Sequence, residues 1–196
     1  MISSSNPAFD YGLDTMLLVY CVLDGHPAET ACEHFLRSQS GWFTSPLVLF
    51  EAKAILTKVY AVDPAAATKK LAQFSTVRMT FVDLDAAAVL AAFQLADVHG
   101  LNTTDAVLLQ LATKHGARYI ATDDQHFGHV CGQFGINVVS PLDATLRKTV
   151  AAWELAHVPP KGMARVLRRV HQWLSQSHTQ AAQDFWSQTG GGSRLP

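Results

Sequence analysis

LNTTDAVLLQLATKHGARYIATDDQHF, residues 101–127, decides the fold. Its first half is helical in pattern: Leu108, Leu109 and Ala112 follow Asp105 at the spacing of one helical face, and Gly116 supplies a stop. RYIAT then reads as a short buried strand. It ends on Thr122 and two adjacent aspartates, Asp123 and Asp124, ahead of a short helical or irregular piece. Adjacent carboxylates repel, and a strand end needs no acid.

Outward from this stretch the same alternation continues. Phe9 to Leu13 is a short apolar segment ending on Asp14, followed by a helical pattern through Leu17, Leu18 and Val22. HPAETACEHFL is a second helix with Pro27 near its first turn, WFT a strand, and Ser45-Pro46 opens a helix from Leu47 towards Tyr60. DPAAATKKLAQF is a helix, MTFVDL a strand, and DAAAVLAAFQLADVHG a helix closed by Gly100. INVVSP is the last strand. Such alternation predicts an α/β fold around a mainly parallel sheet, without internal repeats.

Bulk properties agree with a globular chain. Of 196 residues, 48% are hydrophobic and 16% charged, which excludes disorder as the general state. No apolar run reaches the length of a membrane span, and MISSSNPAFD has neither a basic start nor an apolar core, so no signal peptide is expected. Three cysteines without CxxC spacing point to a reducing cytoplasm, and away from zinc or a disulfide framework. The net charge of −1 conceals an asymmetry: residues 1–144 carry 8 Lys/Arg against 14 Asp/Glu, and residues 145–196 carry 7 against 2. An acidic body with a basic tail suits a metal site beside a polyanion-binding surface, or association of opposite faces.

Four acids stand out. In open parallel sheets the binding crevice lies beyond the carboxyl ends of the strands, where Asp14 and the Asp123-Asp124 pair are expected. Glu51 sits four residues after Leu47 and four before Ile55, inside an apolar stripe, and Asp105 is similarly placed on its helix. Buried acids are costly unless paired or metal-bound, and no inward-facing Lys or Arg is evident. Mg²⁺ or Mn²⁺ would satisfy an oxygen-only set, and such sets serve phosphodiester chemistry. Each acid also has a structural reading. Asp105 could complete a capping box begun by Asn102, Asp14 or either member of the pair could cap a helix, and Glu51 could reach solvent.

The blocks YGLDTMLLVY, TSPLVLFEAKAIL, LNTTDAVLLQLATKHGARYIATDDQHF and INVVSPLD resemble, in order, those of PIN-domain ribonucleases, nearest to VapC-type toxins of bacterial toxin–antitoxin pairs. The resemblance covers about residues 9–143. It implies a three-layer PIN-like fold, and places the fourth family acid on Asp124, two residues after Thr122, leaving Asp123 in a variable position. It further implies that Asp14, Asp105 and Asp124, with Glu51 directly or through water, surround Mg²⁺ or Mn²⁺, and that Thr122 orients the site. The implied reaction is in-line hydrolysis of RNA to a 5′-phosphate and a 3′-hydroxyl. The implied partners are RNA and a cognate antitoxin, with a homodimer as a further possibility. A stand-alone PIN nuclease in RNA processing and a non-cleaving PIN-fold binding module are the alternatives. Met16 departs from the family, which often has a polar residue there.

Residues 1–143 are thus expected to form the nuclease domain, 144–189 a helical extension and 190–196 a disordered tail. TLRKTVAAWELAHV and PKGMARVLRRVHQWLSQSHTQ read as two amphipathic helices. Lys161, Arg165, Arg168 and Arg169 on the second could hold RNA phosphates, or its apolar face could pack on the domain or a second subunit. His126 and His129 read as polar lining near the acids.

Overall fold

The computed structural model describes residues 9–74, 79–158 and 165–188. Five short parallel strands, β1 (Tyr11–Leu13), β2 (Trp42–Thr44), β3 (Met79–Phe81), β4 (Tyr119–Ala121) and β5 (Asn137–Val139), form one sheet in the order β3-β2-β1-β4-β5. The strands alternate their faces. Trp42 and Ala121 point into one apolar core, and Phe43 and Ile120 into the other.

The first core is closed by α1 (Thr15–Val22), α2 (Glu29–Ser38), α3 (Pro46–Lys58) and α4 (Pro64–Phe74), the second by α5 (Ala86–His99), α6 (Thr103–His115) and α7 (Gln125–Gln133). The result is the expected three-layer α/β arrangement. The predicted punctuation operates as read: Ser45 and Asn102 cap α3 and α6 through their side chains, and Gly100 and Gly116 end α5 and α6 in the left-handed conformation.

Three readings need correction. Pro27 precedes α2 by two residues, because His26 anchors a turn there: its Nδ1 accepts the Ala28 amide and its carbonyl accepts the Glu29 amide. β3 stops at Phe81, short of the MTFVDL segment, as an edge strand with a neighbour on one side only. The last predicted helix, residues 160–180, stops earlier, as α9 (Arg165–Ser177), and a further helix that the sequence reading did not separate, α10 (Thr179–Gln188), follows after a break at His178 without a Gly or Pro. Folding back there brings Trp186 to the His171 ring and buries Ala182.

The extension begins with α8 (Ala144–His157), capped by Asp143. Val150 enters the first core, and Trp153 packs edge-on to the buried His26 ring. Tyr60 and Tyr20 both donate to Glu154 Oε1, at 2.7 and 3.4 Å. Burial, then the negative Glu154 beside them, push both phenols up, so they stay neutral donors. Trp173 on α9 is 64% exposed. Lys161 and the tail lie outside the described residues, and Arg165, Arg168 and Arg169 are described only as backbone positions of α9. No helix among the described residues is long and apolar enough to cross a membrane.

Candidate active site

Because all strands run in parallel, their carboxyl ends share one edge, and connections leave β1 and β4 towards opposite sides. The crevice between these strands is therefore the switch point at which such sheets bind ligands. Leu13 pairs with Ala121, so the next residues, Asp14 and Thr122, stand side by side. The Asp14 amide donates to Ala121 O at 3.1 Å, and Thr122 Oγ1 donates to Asp14 Oδ2 at 2.7 Å.

Glycine at position 12 lets the helix α6 approach. A Cβ there would stand 3.1 Å from the Phe43 ring and 3.2 Å from Leu108. Leu108 is one helical turn beyond Asp105, so this close packing lowers the head of α6 towards the strand ends. Asn102 caps that head, accepting the Asp105 amide at 2.8 Å. Half of the capping box therefore exists. The Asp105 carboxylate accepts no hydrogen bond from a described residue and faces the other acids instead.

Glu51 arrives from α3, half-buried, and accepts Thr15 Oγ1 at 2.5 Å. Thr15 was not singled out in the sequence, although it directly follows Asp14. It supplies a hydrogen bond to the acid site from the position next to Met16. Asp124 is exposed and caps α7, its Oδ1 accepting the Phe127 amide at 2.9 Å, while Thr122 Oγ1 accepts the Asp124 amide at 3.0 Å. Thr122 thus fastens two acids at once.

Electrostatics ties the set together. Asp14 is 6% exposed and is pushed up to about 6 by burial. The Thr122 hydrogen bond opposes that rise, and the charge of Glu51 adds to it. Asp105, 7% exposed, is pushed up to about 8 by burial and then by Asp14, Asp124 and Glu51. The repulsion shows that residues from β1, α3, α6 and the end of β4 converge on one region. No Lys or Arg among the described residues pairs with Asp14, Glu51, Asp105 or Asp124. The donor chemistry, carboxylate oxygen with excess negative charge, fits a hard divalent cation. No group of three or more His, Cys, Asp or Glu side chains among the described residues is arranged to hold an ion as it stands.

Asp123 has a separate occupation. Its Oδ1 accepts Ser140 Oγ at 3.0 Å and Arg147 Nε and Nη2, each at 2.7 Å, so it ties β4 to β5 and to α8. Of the adjacent pair, Asp123 is the ion-paired one and Asp124 the one that faces the acids. Neither Ser140 nor Arg147 carried a signal in the sequence, being distant in the chain and of common type. His126 turns away, its Nε2 lying 3.0 Å from His99 O.

Residues 11–133 match the family described as PIN domain. No curated protein matches the chain. Among solved structures, VapC20 of Mycobacterium tuberculosis, a toxin that cleaves the sarcin–ricin loop, is similar at TM-score 0.55 and 18% identity, over 62% of this chain and 95% of that one. VapBC2 of Rickettsia felis, bound to a DNA fragment from its promoter, gives a TM-score of 0.47 at 18% identity, over 66% of this chain and 97% of that one. At such identity the likeness to VapC20 is one of fold.

Proposed function

The chain belongs to the PIN-domain family, and from that premise we propose that it is a metal-dependent endoribonuclease, the toxin of a toxin–antitoxin pair acting in the cytoplasm. One observation carries the reading: two buried acids, Asp14 and Asp105, face Glu51 and Asp124 at the switch point with no described cation among them. With these acids ionised the cluster costs the fold stability, and a bound cation would offset that cost.

In this reading Asp14, Glu51, Asp105 and Asp124 hold Mg²⁺ or Mn²⁺. When bound, the ion would polarise the scissile phosphate and lower the pKa of a bound water. Thr122 fixes the rotamer of Asp14 and Thr15 that of Glu51, so these carboxylates are oriented before substrate arrives. The cap bond occupies one oxygen of Asp124 and leaves the other for the crevice. Residues 1–143 would be the nuclease domain and 144–189 an extension. A cognate antitoxin would inhibit by covering the acidic crevice.

The test is cleavage of single-stranded and hairpin RNA with Mg²⁺ or Mn²⁺, beside an Asp14→Asn control. Cleavage that needs the metal and is lost in the control supports the reading. RNA binding without cleavage under any divalent cation would favour a non-cleaving module. Toxicity on expression, relieved by the product of an adjacent small reading frame, separates a toxin from a stand-alone processing nuclease.

A further inference from the structure

Beside the acid crevice lies an open recess of about 430 Å³, lined by Thr122, Asp123, Asp124 and Gln125 and by Gly128, Val138, Ser140 and Arg147. Two of these, Thr122 and Asp124, also belong to the acid site, so the recess shares a wall with it. Arg147, also in the lining, comes from α8, beyond the residues that match the family. We infer that this recess is a subsite for a ribonucleotide flanking the scissile bond, with Arg147 as the residue that docks its phosphate. The inference rests on the ribonuclease reading and extends it to the substrate's position.

Three features support it. First, Arg147 is aimed: two of its N–H groups are held by Asp123 Oδ1, which Ser140 Oγ also donates to. A guanidinium has five N–H donors in a rigid fork, so the remaining ones are free to meet a phosphate without losing the Asp123 anchor. Its side chain is 41% exposed, enough for a ligand to reach. Second, Arg147 is the one cation among the lining residues. Asp123 offsets its charge and Asp124 adds a negative one, so what Arg147 offers a phosphate is the directed N–H groups that Asp123 leaves over. Third, part of the floor is apolar. Val138 is exposed, and Gly128 stands against it; a Cβ there would already be in van der Waals contact, 3.5 Å from Val138. A ribose or base can lie on such a floor while Gln125 and Ser140 offer hydrogen bonds at its rim. This also gives Asp123 its use: it positions Arg147 and takes no part at the acids.

The full-length chain is measured in two ways, by KM and kcat for a single-stranded oligoribonucleotide with Mg²⁺, and by binding of the same labelled oligonucleotide with Ca²⁺ across a salt titration. Arg147→Gln is expected to raise KM and Kd about ten-fold with kcat little changed, and to reduce the log–log salt slope by about 0.7, the loss of one phosphate contact on a single strand. Arg147→Lys keeps the slope and recovers part of the affinity. Gly128→Leu, whose Cβ would stand in ordinary van der Waals contact 3.5 Å from Val138 with the rest of its side chain in the recess, is expected to raise KM with the slope unchanged. KM, Kd and slope at wild-type values in Arg147→Gln and Gly128→Leu, both folded by melting temperature, would overturn the inference and leave Arg147 as a staple for α8. A wild-type chain that neither binds nor cleaves RNA would overturn it together with the ribonuclease reading, whereas a wild type that cleaves beside indifferent variants removes the subsite alone.

Discussion

Replacing Asp105 by Asn should stabilise the metal-free protein above neutral pH while removing its response to metal. Asp105 is held at about 8 in the fold against an ordinary 3.8. Between those values the folded state binds a proton that the unfolded chain has released, so stability falls as pH rises from about 4 to about 8. The whole loss is on the order of 5 kcal/mol. Asp14, at about 6, has completed most of its own share by about pH 6.5, and His26 and His171, lowered by burial from an ordinary 6.5, add stability as pH rises through 6.5 in wild type and variant alike. The difference between the two proteins from about pH 6.5 to 8.5 therefore reports Asp105, and holds on the order of 2 kcal/mol, or about 4–8 °C in melting temperature for a chain of this size. Thermal unfolding in EDTA across that interval should show the wild type falling by this amount relative to Asp105→Asn. Mg²⁺ at about a hundred times its Kd should return about 2.7 kcal/mol to the wild type, and little to the variant. Parallel pH profiles for the two proteins, or an equal gain from Mg²⁺, would refute the argument that Asp105 is a buried acid awaiting a cation.

Asp124→Asn should abolish metal-dependent cleavage, since a lost ligand charge costs orders of magnitude in rate, while Asp123→Asn should retain most of kcat; equal loss in kcat would show that the two aspartates share one role. Gly12→Ala should cost about 1–3 kcal/mol in urea unfolding, because a methyl 3.1 Å from the Phe43 ring forces the core apart; an unchanged midpoint would mean that α6 can shift at no cost. Tyr60→Phe should cost about 1–3 kcal/mol by leaving Glu154 short of its 2.7 Å donor, and truncation after Asp143 should yield insoluble or far less stable protein, since Val150, Trp153 and Glu154 leave their partners in the first core. A soluble truncated chain with an unchanged melting temperature would make the extension dispensable for folding.

Much of this architecture could be read from local signals. Caps and stops such as Asn102, Gly100 and Gly116 act through neighbours within a turn, and the inward face of α6 follows from apolar spacing, whereas α3 buries Val48, Ala52 and Leu56 and leaves the Leu47–Glu51–Ile55 line on its flank, with Leu47 exposed. Glu51 and Asp105 were legible as candidates for the same reason, being acids set where apolar residues belong, and Asp14 from its place at a strand end. What stayed hidden depends on contacts between distant segments. Thr15 reaches Glu51, and Arg147 and Ser140 reach Asp123, only because the sheet order places β1 next to β4 and β4 next to β5. The break at His178 was missed because the gain comes from α9 and α10 packing on each other and not from a helix-breaking residue. The structure also gives Asp124 the capping role that was its alternative reading, showing that one carboxylate can hold a helix and still face the other acids.

The central claim is that Asp14, Glu51, Asp105 and Asp124 form a site for a catalytic divalent cation. The most direct measurement is calorimetric titration of Mn²⁺ into the wild type and into Asp14→Asn, with RNA cleavage followed on the same samples. Saturable binding and cleavage by the wild type, both lost in a variant that keeps its fold, is the predicted result. Binding and cleavage that persist unchanged in Asp14→Asn would contradict the account.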